Sequence, residues 1–142
     1  LERAARRLGI AEQARFPGEA HGLERHYRAA RFFVMSSRFE GFGNVLVEAM
    51  ANGLPAIAFD CPSGPREIIK DGVNGMLVPP ENVEAMAGAM DRLMEDAGLR
   101  QQLAGAAPPS VSRFRLPAGI REWENLFNRF GPAPPVSESM EY

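Results

Sequence analysis

The chain has 142 residues, the length of one domain or part of one. Apolar residues make up 45% and charged residues 24%, an ordinary globular balance, and the net charge of −2 offers nucleic acid no basic field. No apolar run approaches the roughly 20 residues that cross a bilayer, and one cysteine, Cys61, excludes an internal disulfide and fits a reducing compartment.

The chain opens on Leu1-Glu2-Arg3 rather than on Met, so it is expected to be a piece of something longer. Leu1, Ala4, Ala5 and Leu8 have helical spacing, with Gly9 as the C-terminal cap. Ala14-Arg15-Phe16 reads as a short strand ended by Pro17-Gly18. A helix is expected over Leu23 to Ala30, with Leu23, Tyr27 and Ala30 on one face. Arg31 to Met35 is the next strand, and Asn44 to Asn52 a helix stopped by Gly53. Pro55 to Phe59 is a third strand. Asp60 to Pro65 is a loop, and Pro65 suits the first turn of a helix through Ile69. Asp71 to Gly75 has turn chemistry, and Met76-Leu77-Val78 is a fourth strand. Val83, Met86, Ala87, Met90, Leu93 and Met94 form an apolar helical stripe that reads as core contact. Further helices are expected over Leu99 to Ala107 and Gly119 to Phe130, the second with Ile120, Trp123, Leu126 and Phe127 at helical spacing. Residues 131–142 read as a disordered tail after a domain over 1–130.

Short strands alternating with helices predict an α/β fold, a doubly wound, mostly parallel, Rossmann-like sheet. Ligands of such sheets sit outside the carboxyl ends of the strands. Both the Ser36–Asn44 turn and the Asp60–Gly64 loop follow strands, so both fall on that edge. The first of them carries the most informative residues. Glu40 and Glu48 are separated by seven residues, with Gly41-Phe42-Gly43 directly after the first. A strand, a Gly-rich turn and a helix present free backbone N–H groups to a phosphate. A glutamate one turn into that helix can accept hydrogen bonds from a sugar hydroxyl beside it. A nucleotide-sugar carries both groups.

Glu40, Gly41-Phe42-Gly43, Glu48-Ala49-Met50-Ala51, Gly53 and Pro55 closely resemble the signature of retaining glycosyltransferases of the GT-B fold, family-4 type. The resemblance runs from Leu1 to about Phe127. It includes Asp71-Gly72-x-Asn74-Gly75, Leu77-Val78-Pro79 and Trp123, which resembles the tryptophan of the family's closing helix. Cys61 to Ile69 resembles a bacterial subgroup that builds cell-surface polysaccharides from hexose or N-acetylhexosamine donors. Members of the family have two Rossmann-like domains. By that resemblance this chain is the C-terminal donor-binding domain, incomplete at its start. The acceptor-binding domain, two strands, and an Arg and Lys that grip the donor diphosphate would lie before Leu1.

The resemblance also assigns roles. Glu48 would accept hydrogen bonds from the ribose hydroxyls. Glu40 would sit by the transferred sugar and shape the field at the anomeric carbon. Retention in this family is usually explained by front-face attack, with the donor phosphate helping to deprotonate the acceptor. Gly41, Phe42 and Gly43 would act through their backbones, with core packing an equal alternative for the Phe42 ring. Asn44, Val45 and Leu46 would offer N–H groups to the diphosphate. Ser63 and Gly64 stand on the second loop and could touch the donor, although a helix-capping Ser63 is the simpler reading. Arg66 could reach a phosphate, although a pair with Glu67 or Asp71 is the simpler reading. No metal site is expected, and no cofactor, since the nucleotide-sugar is a substrate.

The expected function is therefore the donor half of a glycosyltransferase that moves a sugar, from a UDP-sugar first of all, to a saccharide or lipid-linked acceptor. The expected location is the cytoplasm, with the inner face of the membrane as the alternative. Two other functions remain open at this point: a nucleotide-binding module without turnover, and a nucleotide-sugar epimerase of the same fold.

Overall fold

The computed structural model describes residues 1–20, 22–114 and 116–130. Its elements, in chain order, are helix α1 (Glu2–Arg7), helix α2 (Glu24–Ala29), strand β1 (Phe33–Met35), helix α3 (Asn44–Ala51), strand β2 (Ala56–Phe59), helix α4 (Pro65–Ile68), strand β3 (Met76–Val78), and helices α5 (Val83–Glu95), α6 (Ala97–Val111) and α7 (Leu116–Phe130). A 3-10 turn over Ser112–Phe114 joins the last two helices.

The three strands form a parallel sheet in the order β1-β2-β3. Val34 stands beside Ile57, and Ile57 beside Met76. The fold is thus α/β with a parallel sheet, as the sequence predicts. The alternation of a strand's side chains divides β2 between two cores. Ala56 and Ala58 face one way, onto Leu46 and Met50 of α3 and Val111 of α6. Ile57 and Phe59 face the other way, onto Met86, Ala89 and Leu93 of α5 and Leu103 of α6. Every residue of β2 is buried, which explains why its sequence is a continuous apolar run rather than an alternating one. Small Ala side chains on one face let α3 approach the strand closely.

Capping fixes the helix starts. Asn82 Oδ1 accepts the Ala85 N–H at 2.9 Å and begins α5. Asp96 Oδ1 accepts the Leu99 N–H at 2.8 Å and begins α6. Pro65 occupies the first turn of α4, where its missing N–H removes no helical bond. In the turn before β3, Asn74 is buried with both of its side-chain polar atoms bonded. Its Oδ1 accepts the Lys70 N–H at 2.7 Å and its Nδ2 donates to the Ile68 carbonyl at 3.1 Å.

Three expectations are corrected. Ala14–Phe16 is not a strand. Among the described residues it pairs with no neighbour, and an extended segment without a partner has no ladder bonds to hold it. Helix α6 is longer than Leu99–Ala107 and passes through Pro108 and Pro109. Leu103, Ala107 and Val111, spaced four apart, are all buried, and this packing outweighs the helical bonds that two prolines delete. The final helix also starts earlier than expected, at Leu116 rather than Gly119. Its Trp123 and Phe127 are exposed and stack on each other at 5.9 Å. The tail expected over 131–142 lies outside the described residues. Among the described residues no helix is long and apolar enough to cross a membrane.

Candidate functional site

The Gly-rich turn leaves β1 after Met35 and enters α3 at Asn44, at the carboxyl edge of the sheet. Gly43 is the residue that caps α3, and its φ of 92° lies in the left-handed region. A Cβ there would make only ordinary contacts, the nearest at 3.5 Å to Met35 Cε. The backbone angle rather than space therefore asks for glycine. Gly43's carbonyl accepts the N–H groups of Leu46 at 3.0 Å and Val47 at 3.2 Å.

That bond pattern corrects one expectation. Leu46 has no free N–H to offer, and its side chain is wholly buried. The amides of Asn44 and Val45, both exposed residues, have no hydrogen-bond partner among the described residues. They are the groups that α3 can offer an anion.

The loop after β2 lies against this turn. Ser63 Oγ donates to the Glu40 carbonyl at 2.5 Å. The residue that caps α4 is Gly64, and no side chain caps that helix. Ser63 therefore ties two loops together instead of capping α4. Gly64 has φ 82° and ψ −85°, and a Cβ on it would lie 2.5 Å from the Phe42 carbonyl oxygen and 3.4 Å from Glu40 Cβ. Angle and space both demand glycine here. The Phe42 ring is half-buried and meets Phe114 edge-on, with centroids 5.0 Å apart. Its ring packs on the core, as one of the two readings of Phe42 expects, while its backbone lines the turn. Gly41 is exposed, with nothing within 4 Å of where its Cβ would stand.

Glu48 has a different partner. It lies on the exposed face of α3, and the Tyr27 hydroxyl donates to its Oε2 at 3.2 Å. Burial first, and the charge of Glu48 second, hold the Tyr27 hydroxyl above the ordinary tyrosine pKa. Glu48 and Tyr27 border a hollow of about 410 Å3 between α2 and α3, together with Ala20, Leu23, Glu24 and Asn52. A larger hollow, about 620 Å3, lies against Arg3, Arg6 and Arg7 on α1 and touches neither glutamate.

Arg66 pairs with Asp60, not with Glu67 or Asp71. Its Nε and Nη2 donate to the two carboxylate oxygens at 2.8 and 3.0 Å. Asp71 is engaged elsewhere, accepting the Leu77 N–H at 2.9 Å. Among the described residues no group of three His, Cys, Asp or Glu side chains is placed to hold a metal ion.

The sequence profile of the family described as glycosyl transferases group 1 matches residues 1–108, more than half of the chain. The chain belongs to this family. It is 39% identical over 121 residues to an exopolysaccharide phosphotransferase of Streptomyces coelicolor, covering 84% of this chain and 13% of that protein. It is 33% identical over 119 residues to the amylovoran biosynthesis glycosyltransferase AmsD of Erwinia amylovora, covering 84% and 33%. The chain thus spans one third or less of these two relatives. Among solved structures, Anabaena HepE in complex with UDP superposes with a TM-score of 0.80 at 29% identity, covering 87% of this chain and 35% of that one. Family and fold agree: the chain is a member of the glycosyl transferases group 1 family with the α/β fold of its GT-B structural neighbours.

Tyr27 is the partner of Glu48 that sequence reading missed. It appears there only as one apolar position of a helical stripe. The signal was available: a buried tyrosine hydroxyl needs a polar partner. Nothing local names Glu48, 21 residues away, as that partner.

Proposed function

We propose that this chain is the donor-binding part of a retaining, family-4-type glycosyltransferase. It would take a UDP-sugar and serve transfer to a saccharide or lipid-linked acceptor in cell-surface polysaccharide synthesis. The carrying observation is the separation of partners around one turn: Glu48 borders a hollow with Tyr27, the Asn44 and Val45 amides open α3, and Glu40 sits in the Gly-rich turn before them. These are three different recognition chemistries in chain order. The hollow beside Tyr27 and Leu23 suits a nucleoside. Tyr27 holds one oxygen of Glu48, and the other has no protein partner among the described residues, which leaves it for the ribose hydroxyls. The two amides and the positive end of α3 suit the diphosphate. Glu40 then falls on the side of the transferred sugar.

In that arrangement the Glu40 carboxylate stabilises positive charge as it grows on the anomeric carbon. The relatives support this reading. One acts in amylovoran biosynthesis, another is an exopolysaccharide phosphotransferase, and HepE binds UDP.

Calorimetric titration of the chain with UDP tests the assignment. Glu48→Ala should weaken UDP by about 1.5–3 kcal/mol, or roughly 10- to 150-fold, through loss of charge-assisted hydrogen bonds. Unchanged affinity would remove Glu48 from the ribose site.

A further inference from the structure

We infer that Ser63 is a positioning residue for Glu40: its hydroxyl sets the peptide from which the Glu40 side chain projects toward the donor sugar. The inference rests on the reading of Glu40 given above. Ser63 Oγ donates to the Glu40 carbonyl at 2.5 Å, across 23 residues of sequence. The hydroxyl is not needed for helix capping, because α4 starts at Gly64 without a side-chain cap. The next residue continues the contact, since Gly64 lies so near Phe42 that a Cβ would strike its carbonyl.

The Ser63 loop is itself held firmly. Asp60 donates its N–H to the Val78 carbonyl at 2.8 Å and receives Arg66 on both carboxylate oxygens. Cys61 is wholly buried, and its Sγ lies 3.5 Å from the Ser63 carbonyl oxygen. A fixed loop thus carries the hydroxyl that grips the turn. The turn has no other hydrogen bond at that point among the described residues, since neither Gly41 nor Phe42 makes a backbone one. Glu48 is independent of this tie, being fixed by α3 and Tyr27.

The independence gives a split readout. UDP reaches the Glu48 side, and only a sugar reaches Glu40. Binding of UDP, UDP-glucose and UDP-N-acetylglucosamine is measured by calorimetry on the full-length protein, as wild type, Ser63→Ala and Glu40→Ala. Ser63→Ala should weaken at least one UDP-sugar about fivefold, the scale of one neutral hydrogen bond, and leave UDP within twofold. Its melting temperature should stay within a few degrees. Glu40→Ala should show the same split, more strongly. If Glu40→Ala shows the split and Ser63→Ala does not, the positioning role is wrong and the reading of Glu40 stands. If Ser63→Ala weakens UDP as much as the UDP-sugars, the hydroxyl is only structural. If Glu40→Ala changes nothing, or the wild type binds none of the three, the reading of the site fails and the inference falls with it.

Discussion

Gly64 is where the geometry makes its most demanding claim. Replacing it with alanine adds one methyl group in a backbone conformation, φ 82° and ψ −85°, that non-glycine residues rarely enter. That strain alone costs about 1–3 kcal/mol. The methyl would also stand 2.5 Å from the Phe42 carbonyl oxygen and 2.9 Å from its carbon, both backbone atoms. Phe42 cannot yield easily, because its ring is set against Phe114. Overpacking of this kind costs a further 1–3 kcal/mol or so. The stiffer unfolded chain offsets about 0.4–1 kcal/mol. The net loss is roughly 1–5 kcal/mol, or about 4–20 °C in Tm for a chain of this size. Two controls separate the causes. Gly53 has φ 80° with open space around it, so Gly53→Ala should cost only about 1 kcal/mol. Gly41 has neither a positive φ nor a neighbour, so Gly41→Ala should stay within about 0.5 kcal/mol. Urea unfolding followed by circular dichroism ranks the three. Gly64→Ala behaving no worse than Gly53→Ala would refute the close approach of the two loops.

Other expectations follow from single contacts. Tyr27 has a folded-state pKa above its unfolded value, so its contribution to stability is present below about pH 10 and is lost as pH rises through the folded pKa. Urea midpoints measured from pH 8 to 11 should fall less steeply for Tyr27→Phe than for the wild type; parallel slopes would contradict the Glu48 contact. Asn82→Ala should cost about 1 kcal/mol by removing the cap of α5, and an unchanged urea midpoint would disprove the cap. Arg66→Ala should cost less than about 1 kcal/mol, because its pair with Asp60 is half in water. A larger loss in thermal unfolding would show that the pair carries more of the second loop than its exposure allows.

What the sequence made legible was local. Phe32 to Met35, Ala56 to Phe59 and Met76 to Val78 are apolar runs bounded by turn residues, and each contains a strand. The helix after Gly43 and the stripe from Val83 to Met94 follow from spacing alone. The loop positions followed in turn, because a strand's carboxyl end fixes where its loop emerges. Contacts between distant segments were not legible. Arg66 could have reached Glu67 or Asp71 by helical spacing, yet the fold of the loop brought Asp60 to it. Ser63 has the character of a capping residue, and only the approach of a second loop turned its hydroxyl to Glu40. Ala14–Phe16 has the composition of a strand, but a strand exists through its partner. The prolines of α6 are local breakers overruled by three buried side chains on one face.

The site itself divides the same way. The order Glu40, Gly41-Phe42-Gly43, Asn44, Val45, Glu48 was readable, while the division of the two glutamates between separate partners was not. Glu40 belongs with the Ser63 loop, and Glu48 with Tyr27.

The most direct test of donor binding is an amide correlation NMR spectrum of the chain with added UDP. Shifts should be concentrated at Asn44 to Glu48 and at Leu23 to Tyr27, the two sides of the hollow between α2 and α3. A folded spectrum whose shifts fall only around Arg3 to Arg7, away from this turn, would contradict a nucleotide site there.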